Sequence, residues 1–212
     1  MPKLKDFGLY FITDSRLTKK TVIEDVKSAI KGGVKIIQYR EKEASKEQML
    51  AEAKEIKKLC QKNSVIFIVY DKIDIALAAD ADGVHLGQDD AHYETARKLL
   101  GKNKIIGLTT HNVKESIEAE RLGVDYIGLS PIFPTGTKPD VGKACGAEMI
   151  AKVKKHVKIP VVAIGGINES NIGQVLKAGA KNMAIISAIL AKDDVERAVM
   201  GFIEKISQNS KF

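Results

Sequence analysis

The chain has 212 residues, 29% of them charged, with a net charge of +7 and two cysteines. That length suits a single domain spanning residues 1–212, and the balance of charged and apolar residues excludes disordered and fibrous classes. No apolar run approaches a membrane span, and Met1–Asp6 lacks the long apolar segment of a secretion signal, so a cytoplasmic protein with no membrane partner is expected.

In chain order, short apolar runs alternate with amphipathic stretches. The runs are Leu9–Thr13, Val34–Arg40, Val65–Tyr70, Gly83–Gly87, Lys104–Leu108, Asp125–Ser130, Pro160–Gly165 and Met183–Ser187, and they read as eight strands. Between them, Met49, Leu50, Ala53, Ile56 and Leu59 recur at three- and four-residue spacing, as do Ile172, Val175 and Leu176 ahead of the stop signal Gly179. Glycines at 32, 83, 123 and 179 stand where a left-handed helix cap would lead into the next strand. Repeated units of strand, helix and short loop predict an α/β fold, a single (β/α)8 TIM barrel, with an open doubly wound sheet as the alternative. Cys60 falls on the apolar stripe of a helix and is expected to pack in the core. Cys145 falls in a loop as a partly exposed thiol, and the pair has neither metal-ligand nor redox spacing.

In such a barrel the chemistry collects at the carboxyl ends of the strands. The second strand ends in Gln38, Arg40 and Lys42, alternate positions that project to one side and suit a polyphosphate; a surface ion pair with Glu41 or Glu43 is the plainer reading. Asp71 follows the third strand, and Asp89 and Asp90 follow the fourth. Carboxylates from neighbouring strand ends can share a hard cation such as Mg2+, or can cap the helices beginning near Ile73 and His92. His111 closes the fifth unit, where an imidazole could serve as acid or base or play a structural part. His85 sits inside the fourth strand and could face either side of it; His92 and His156 read as helix-surface residues.

After the sixth strand, Ser130–Lys138 reads SPIFPTGTK, two threonines, a glycine and a lysine in a loop fit to hold an anion or simply to turn. The irregular stretch from Pro131 to about Gly146 is long enough to serve as a lid. Gly165 and Gly166 after the seventh strand, and Ser187 after the eighth, stand where barrels often hold a substrate phosphate. Asn168–Asn171 there is read as the start of a helix.

Taken together, QYREK (38–42), YDKIDIALAADADGVHLGQDD (70–90), GLTTHN (107–112), SPIFPTGTK (130–138), AIGGI (163–167) and IISAI (185–189) resemble the thiamine phosphate synthase family, in order and over nearly the whole chain. The resemblance implies a barrel enzyme, a transferase that joins a pyrimidine diphosphate to a thiazole phosphate and releases pyrophosphate. It implies that Gln38, Tyr39, Arg40, Glu41 and Lys42 hold the pyrimidine diphosphate and that Asp71 and Asp90 bind Mg2+. Thr135, Gly136 and Thr137 then face the thiazole, and Gly166, Ile186 and Ser187 its phosphate. Arg40, Lys42 and Lys138 act on the departing diphosphate. Two positions depart from the family pattern: Tyr70 stands where asparagine is common, and Thr109 where serine is, both at pyrimidine contacts. Thr109 keeps the hydroxyl, whereas Tyr70 cannot reproduce an amide's paired donor and acceptor.

Rival readings are a thiazole tautomerase using His111, a non-catalytic phosphate-ligand sensor on the same barrel, and a nucleic-acid binder. The diphosphate-binding set at 38–42, Asp90 and 135–138 opposes the first. Lysines such as Lys57, Lys58, Lys152, Lys154 and Lys155 are scattered over helix faces without aromatics, so small-molecule substrates rather than nucleic acid are the expected partners. A homo-oligomer is left open.

Overall fold

The computed structural model describes residues 4–88, 90, 92–137 and 142–209. Eight strands appear where the apolar runs predict them: β1 (Gly8–Ile12), β2 (Ile36–Tyr39), β3 (Ile66–Tyr70), β4 (Gly83–Leu86), β5 (Ile105–Thr110), β6 (Tyr126–Leu129), β7 (Val161–Ile164) and β8 (Asn182–Ile185). Neighbours in sequence pair in parallel, and β1 also pairs with β8, Leu9 lying opposite Met183. The barrel is therefore closed, and the open sheet is excluded.

The helices are α1 (Val22–Lys31), α2 (Lys46–Lys62), α3 (Ile73–Ala78), α4 (Tyr93–Leu100), α5 (Val113–Leu122), α6 (Glu148–Lys154), α7 (Ile172–Lys177), the short α8 (Ser187–Leu190) and α9 (Val195–Asn209). Side-chain caps start four of them: Thr21, Ser45, Asn112 and Asp194 accept the amides of Glu24, Gln48, Glu115 and Arg197, each satisfying a donor the first helical turn leaves free. In α2, Ala53, Ile56 and Cys60 form the buried stripe, and burial pushes the Cys60 thiol up to about 12, which makes it a packing group. Cys145 is partly exposed.

Two of the four expected glycine caps differ. After α1 the left-handed turn falls on Gly33 (φ +98°), while Gly32 stays right-handed. After α3 it falls on Asp80 (φ +52°), and Gly83 is the first residue of β4, where a side chain would run into the Ile105 carbonyl. Gly123 and Gly179 adopt positive φ as predicted. Asn168–Asn171 likewise form the turn ahead of α7 rather than its first residues.

Strand alternation sorts the core into two layers. Leu9, Phe11, Ile37, Phe67, Val69 and Val84 point outward against the helices. Tyr10, Ile12, Ile36, Ile68, Ile105, Tyr126, Val162 and Ala184 fill the barrel itself. Above that inner layer, at the carboxyl ends of the strands, a pocket opens.

Candidate active site

The pocket is walled by every strand of the barrel: Tyr10 and Ile12 from β1, Gln38 and Arg40 at β2, Tyr70, His85, Thr109, Tyr126 and Gly128 from β3 to β6, and Val162 to Ser187 around β7 and β8. Period two decides which side chains reach it. In β2, Ile36 and Gln38 face inward and Ile37 and Tyr39 outward, and the alternation carries Arg40 in and Glu41 out.

On the β1–β3 side the pocket is charged. Asp14, two residues beyond β1 and 2% exposed, accepts hydrogen bonds from Arg40 Nη1 and from Arg16 Nε at 2.9 Å and Nη2 at 2.8 Å. Burial would push its carboxyl up, but the hydrogen bonds and charges of Arg16 and Arg40 outweigh burial and hold it below its ordinary value. Arg16 Nη2 also donates to the Thr137 carbonyl at 3.0 Å, tying the β1 loop to the loop after β6. Sequence reasoning passed over Asp14 and Arg16. The signal was there in the alternation Tyr10, Ile12, Asp14, which puts a carboxylate at an inward register position beside Arg40.

Lys42 donates to Asp71, whose backbone takes the left-handed region (φ +50°) and whose amide donates to the His85 carbonyl at 2.9 Å. Left-handed backbone is strained for aspartate and is held here by the contacts around it. The Asp71 side chain is 6% exposed; its Oδ1 makes no hydrogen bond and has the Lys72 ammonium at 3.2 Å. α3 has no side-chain cap, so Asp71 is not a capping residue. Nor is Asp90, which accepts the Gly87 amide at 2.6 Å while α4 starts uncapped at His92. A side chain at Gly87 would lie within 3.3 Å of both the Asp90 carboxylate and the Tyr70 hydroxyl, so the two groups crowd one point of the rim.

Tyr70 forms a wall of the pocket. Its ring stacks on His85 (centroids 6.2 Å apart, planes at 23°), with Lys42 Nζ 4.6 Å and the Arg40 guanidinium 5.9 Å from the ring centre. The bulk that replaces an asparagine is thus a platform under two cations.

The floor is a hydrogen-bonded chain across the barrel. Gln38 Nε2 donates to Tyr10 Oη at 3.0 Å, the Tyr10 and Tyr126 hydroxyls lie 2.9 Å apart, Tyr126 Oη lies 3.0 Å from His85 Nδ1, and His85 Nε2 lies 3.0 Å from Thr109 Oγ1. Burial drives both phenols well above their usual range, so they stay protonated.

On the β6–β8 side charge gives way to backbone. Gly165 (φ +101°) and Gly166 (φ +65°) make the turn after β7, and a side chain at Gly166 would lie 2.5 Å from the Pro134 carbonyl. Phe133 N donates to the Gly165 carbonyl at 3.0 Å and Ile132 N to that of Ile164 at 2.9 Å, bolting the SPIFP loop to β7. Asn171 Nδ2 closes the turn on the Gly166 carbonyl at 2.8 Å. Ile186 and Ser187 face the same space, with Thr135 and Thr137 above them.

Among the expected site residues, Gln38, Arg40, Tyr70, Thr109, Thr135, Thr137, Gly166, Ile186 and Ser187 meet around this pocket, with Lys42 reaching its wall over Tyr70. Three of the expected substrate contacts do not line it, and neither do Asp71 and Asp90. Tyr39 points outward and donates to Glu52 of α2 at 2.7 Å. Glu41 accepts the amides of Lys42 and Glu43 at 2.7 Å and of Ala44 at 3.2 Å, folding the loop after β2. Gly136 is exposed between the two threonines. Lys138 and Asp89 lie outside the described residues. His111 hydrogen-bonds the Ser130 carbonyl with Nδ1 and takes no place in the wall, and His85 faces into the barrel. No group of three or more metal-ligating side chains occurs among the described residues, nor a helix long and apolar enough to cross a membrane.

A sequence model of the family described as thiamine monophosphate synthase matches residues 9–189 of the chain. The chain belongs to that family. Thiamine-phosphate synthase of Methanosarcina mazei is 52% identical to it over 97% of this chain and 85% of the relative, and that of Methanosarcina barkeri 50% over 98% and 94%. The solved thiamine phosphate pyrophosphorylase of Pyrococcus furiosus superposes with a TM-score of 0.86 at 40% identity, covering 95% of this chain and 97% of the other. The barrel is thus the fold of a family member, and the family's activity is this chain's: it is a transferase that makes thiamine phosphate.

Proposed function

We propose that the chain condenses 4-amino-2-methyl-5-(diphosphomethyl)pyrimidine with 4-methyl-5-(2-phosphoethyl)thiazole, or its carboxylated form, at this pocket. One observation carries the assignment of groups: a single pocket with cationic side chains on the β2–β3 side and glycine backbone with Ser187 on the β7–β8 side offers two anion sites of different kinds on either side of a ring-sized space.

In the reaction the bond between the pyrimidine methylene carbon and the diphosphate oxygen breaks with its electron pair leaving on oxygen, and the thiazole nitrogen lone pair forms the new carbon–nitrogen bond. The aminopyrimidine can spread the positive charge that develops, so no enzyme nucleophile is needed. Arg40 and Lys42 neutralise the departing diphosphate, and the resemblance gives Lys138 the same task. Gln38, Thr109 and the Tyr70 platform orient the pyrimidine. Thr135 and Thr137 face the thiazole, and Gly166, Ile186 and Ser187 hold its phosphate. Apolar side chains at Ile12, Val162, Ile164 and Ile167 line the rest and keep out water that would capture the cation.

Asp71 and Asp90 would hold Mg2+: the pair is an all-oxygen donor set, and the buried Oδ1 of Asp71 has no hydrogen bond to give up. When bound, the ion supplies neutralising charge to the diphosphate. The decisive assay is pyrophosphate release from the purified protein. Release that requires both substrates and Mg2+ is expected, and release independent of the thiazole phosphate, or none, overturns the reading.

A further inference from the structure

The floor of the pocket contains three residues with no assigned part in the reaction: Tyr10, Tyr126 and His85. They join Gln38 to Thr109 through four contacts of 2.9–3.0 Å that cross five strands. The backbone is cut to fit them. A side chain at Gly107 would collide with the Tyr126 ring, and one at Gly128 would lie 3.0 Å from His85 Cε1, so a glycine leaves room for each ring. The His85 and Tyr126 rings stack with centroids 5.4 Å apart, and Tyr10 meets Tyr126 at 6.0 Å.

A hydroxyl has one proton to give, so a buried chain of hydroxyls carries a direction. With the Gln38 nitrogen donating to Tyr10, the Tyr10 proton goes to Tyr126 and the Tyr126 proton goes to His85 Nδ1. That nitrogen must then be the bare one. The ring proton sits on Nε2 and is donated to Thr109 Oγ1, which leaves the Thr109 proton to turn into the pocket. At the far end Gln38 gives one of its two N–H groups to Tyr10, which fixes the orientation of the amide and leaves its carbonyl oxygen and second N–H for a ligand in a set order.

We propose that Tyr10, Tyr126 and His85 are positioning residues that fix the hydrogen-bond direction of the pocket, the order of acceptor and donor at Gln38 and a donor at Thr109. That pattern fits a ring carrying an exocyclic amine and an unprotonated ring nitrogen. It opposes the oxo counterpart of the same ring, which presents a carbonyl to the fixed carbonyl oxygen of Gln38. The inference rests on the pyrimidine reading of this pocket, and it makes the relay the source of discrimination between amino and oxo rings.

The test begins with the unmodified protein. Nitrogen-15 NMR of the imidazoles, with the His85 signal identified among the four histidines by its loss in His85→Gln, is expected to show a neutral ring protonated on Nε2. A ring protonated on Nδ1 in an active enzyme overturns the relay. The fixed tautomer in a protein that fails to condense the two substrates instead counts against the function and leaves the relay standing. In Tyr126→Phe the ring should lose its single tautomer. The KM for the pyrimidine diphosphate should rise about tenfold, the scale of one lost hydrogen bond, with the KM for the thiazole phosphate within about twofold. Preference over the 4-oxo analogue as inhibitor should fall by a similar factor. Equal rises in both KM values, or an unchanged preference, would mean that Tyr126 only supports the barrel. Tyr10→Phe repeats the test one step further from His85 and should give the same split.

Discussion

The two sides of the pocket are built on opposite plans. Around β1–β3, cations stand in side chains already paired in the free protein, Arg40 on Asp14 and Lys42 on Asp71. Around β7–β8, the polarity is in the backbone, at a glycine turn bolted to the SPIFP loop and closed by Asn171. On the proposed assignment, a diphosphate that must arrive, be neutralised and leave meets groups that can exchange one partner for another. On the same assignment, a phosphate that only anchors its substrate meets a rigid frame. Side-chain substitutions should therefore damage the first region, and backbone-altering substitutions the second.

The largest effect should follow Arg40→Gln, which we expect to lower kcat/KM on the order of a thousandfold, with the thiazole phosphate KM within about twofold. A loss under about tenfold in steady-state pyrophosphate release would break the comparison on its charged side. Gly166→Ala adds a side chain at φ +65° and 2.5 Å from the Pro134 carbonyl. Activity should fall about a hundredfold, chiefly through the thiazole phosphate KM, because the SPIFP loop must shift to make room.

Asp71→Asn should raise the Mg2+ concentration for half-maximal activity by about tenfold or more and move the melting temperature by less than about 3 °C, since Asp71 caps no helix. A large fall in melting temperature with Mg2+ dependence intact would return Asp71 to a structural role. For Asp14 the readout is stability. Its carboxyl is lowered in the folded chain, so its contribution is complete above the unfolded value, about pH 4, and is lost as pH falls toward the folded value. The melting temperature of the wild type should therefore drop more steeply below about pH 4 than that of Asp14→Asn. The smallest effect is expected of Ser187→Ala, about threefold in thiazole phosphate KM, if backbone rather than hydroxyl carries that phosphate.

The barrel was legible because each strand is an apolar run closed by polar residues, and each helix repeats at its own period. The residues at the pocket were legible wherever a strand ended in something chemically conspicuous, as at Arg40 or Gly166. What escaped were partners that act through another residue. Asp14 sits in an ordinary-looking TDSR turn, and its importance lies in the distance from Arg40 across two strands. Tyr10 and Tyr126 lie inside apolar strand runs and in the core; that their hydroxyls meet depends on barrel closure. Tyr39 and Glu41 were drawn toward the substrate by the motif around them, although strand alternation already turned them outward. Gly83 was read as a cap because the sequence does not show that Asp80 accepts the left-handed turn first.

The glycine beneath Tyr126 has a consequence for how such a sequence can drift. Any side chain at position 107 requires a smaller one at 126, and a smaller one at 126 removes a hydroxyl from between Tyr10 and His85. The two positions are epistatic: Gly107→Ala should be deleterious alone and be partly relieved by Tyr126→Leu, a double change that restores the fold of the barrel without restoring the hydroxyl chain across its floor. Single steps away from this pair are closed in one direction, and the direct route out passes through loss of the wire.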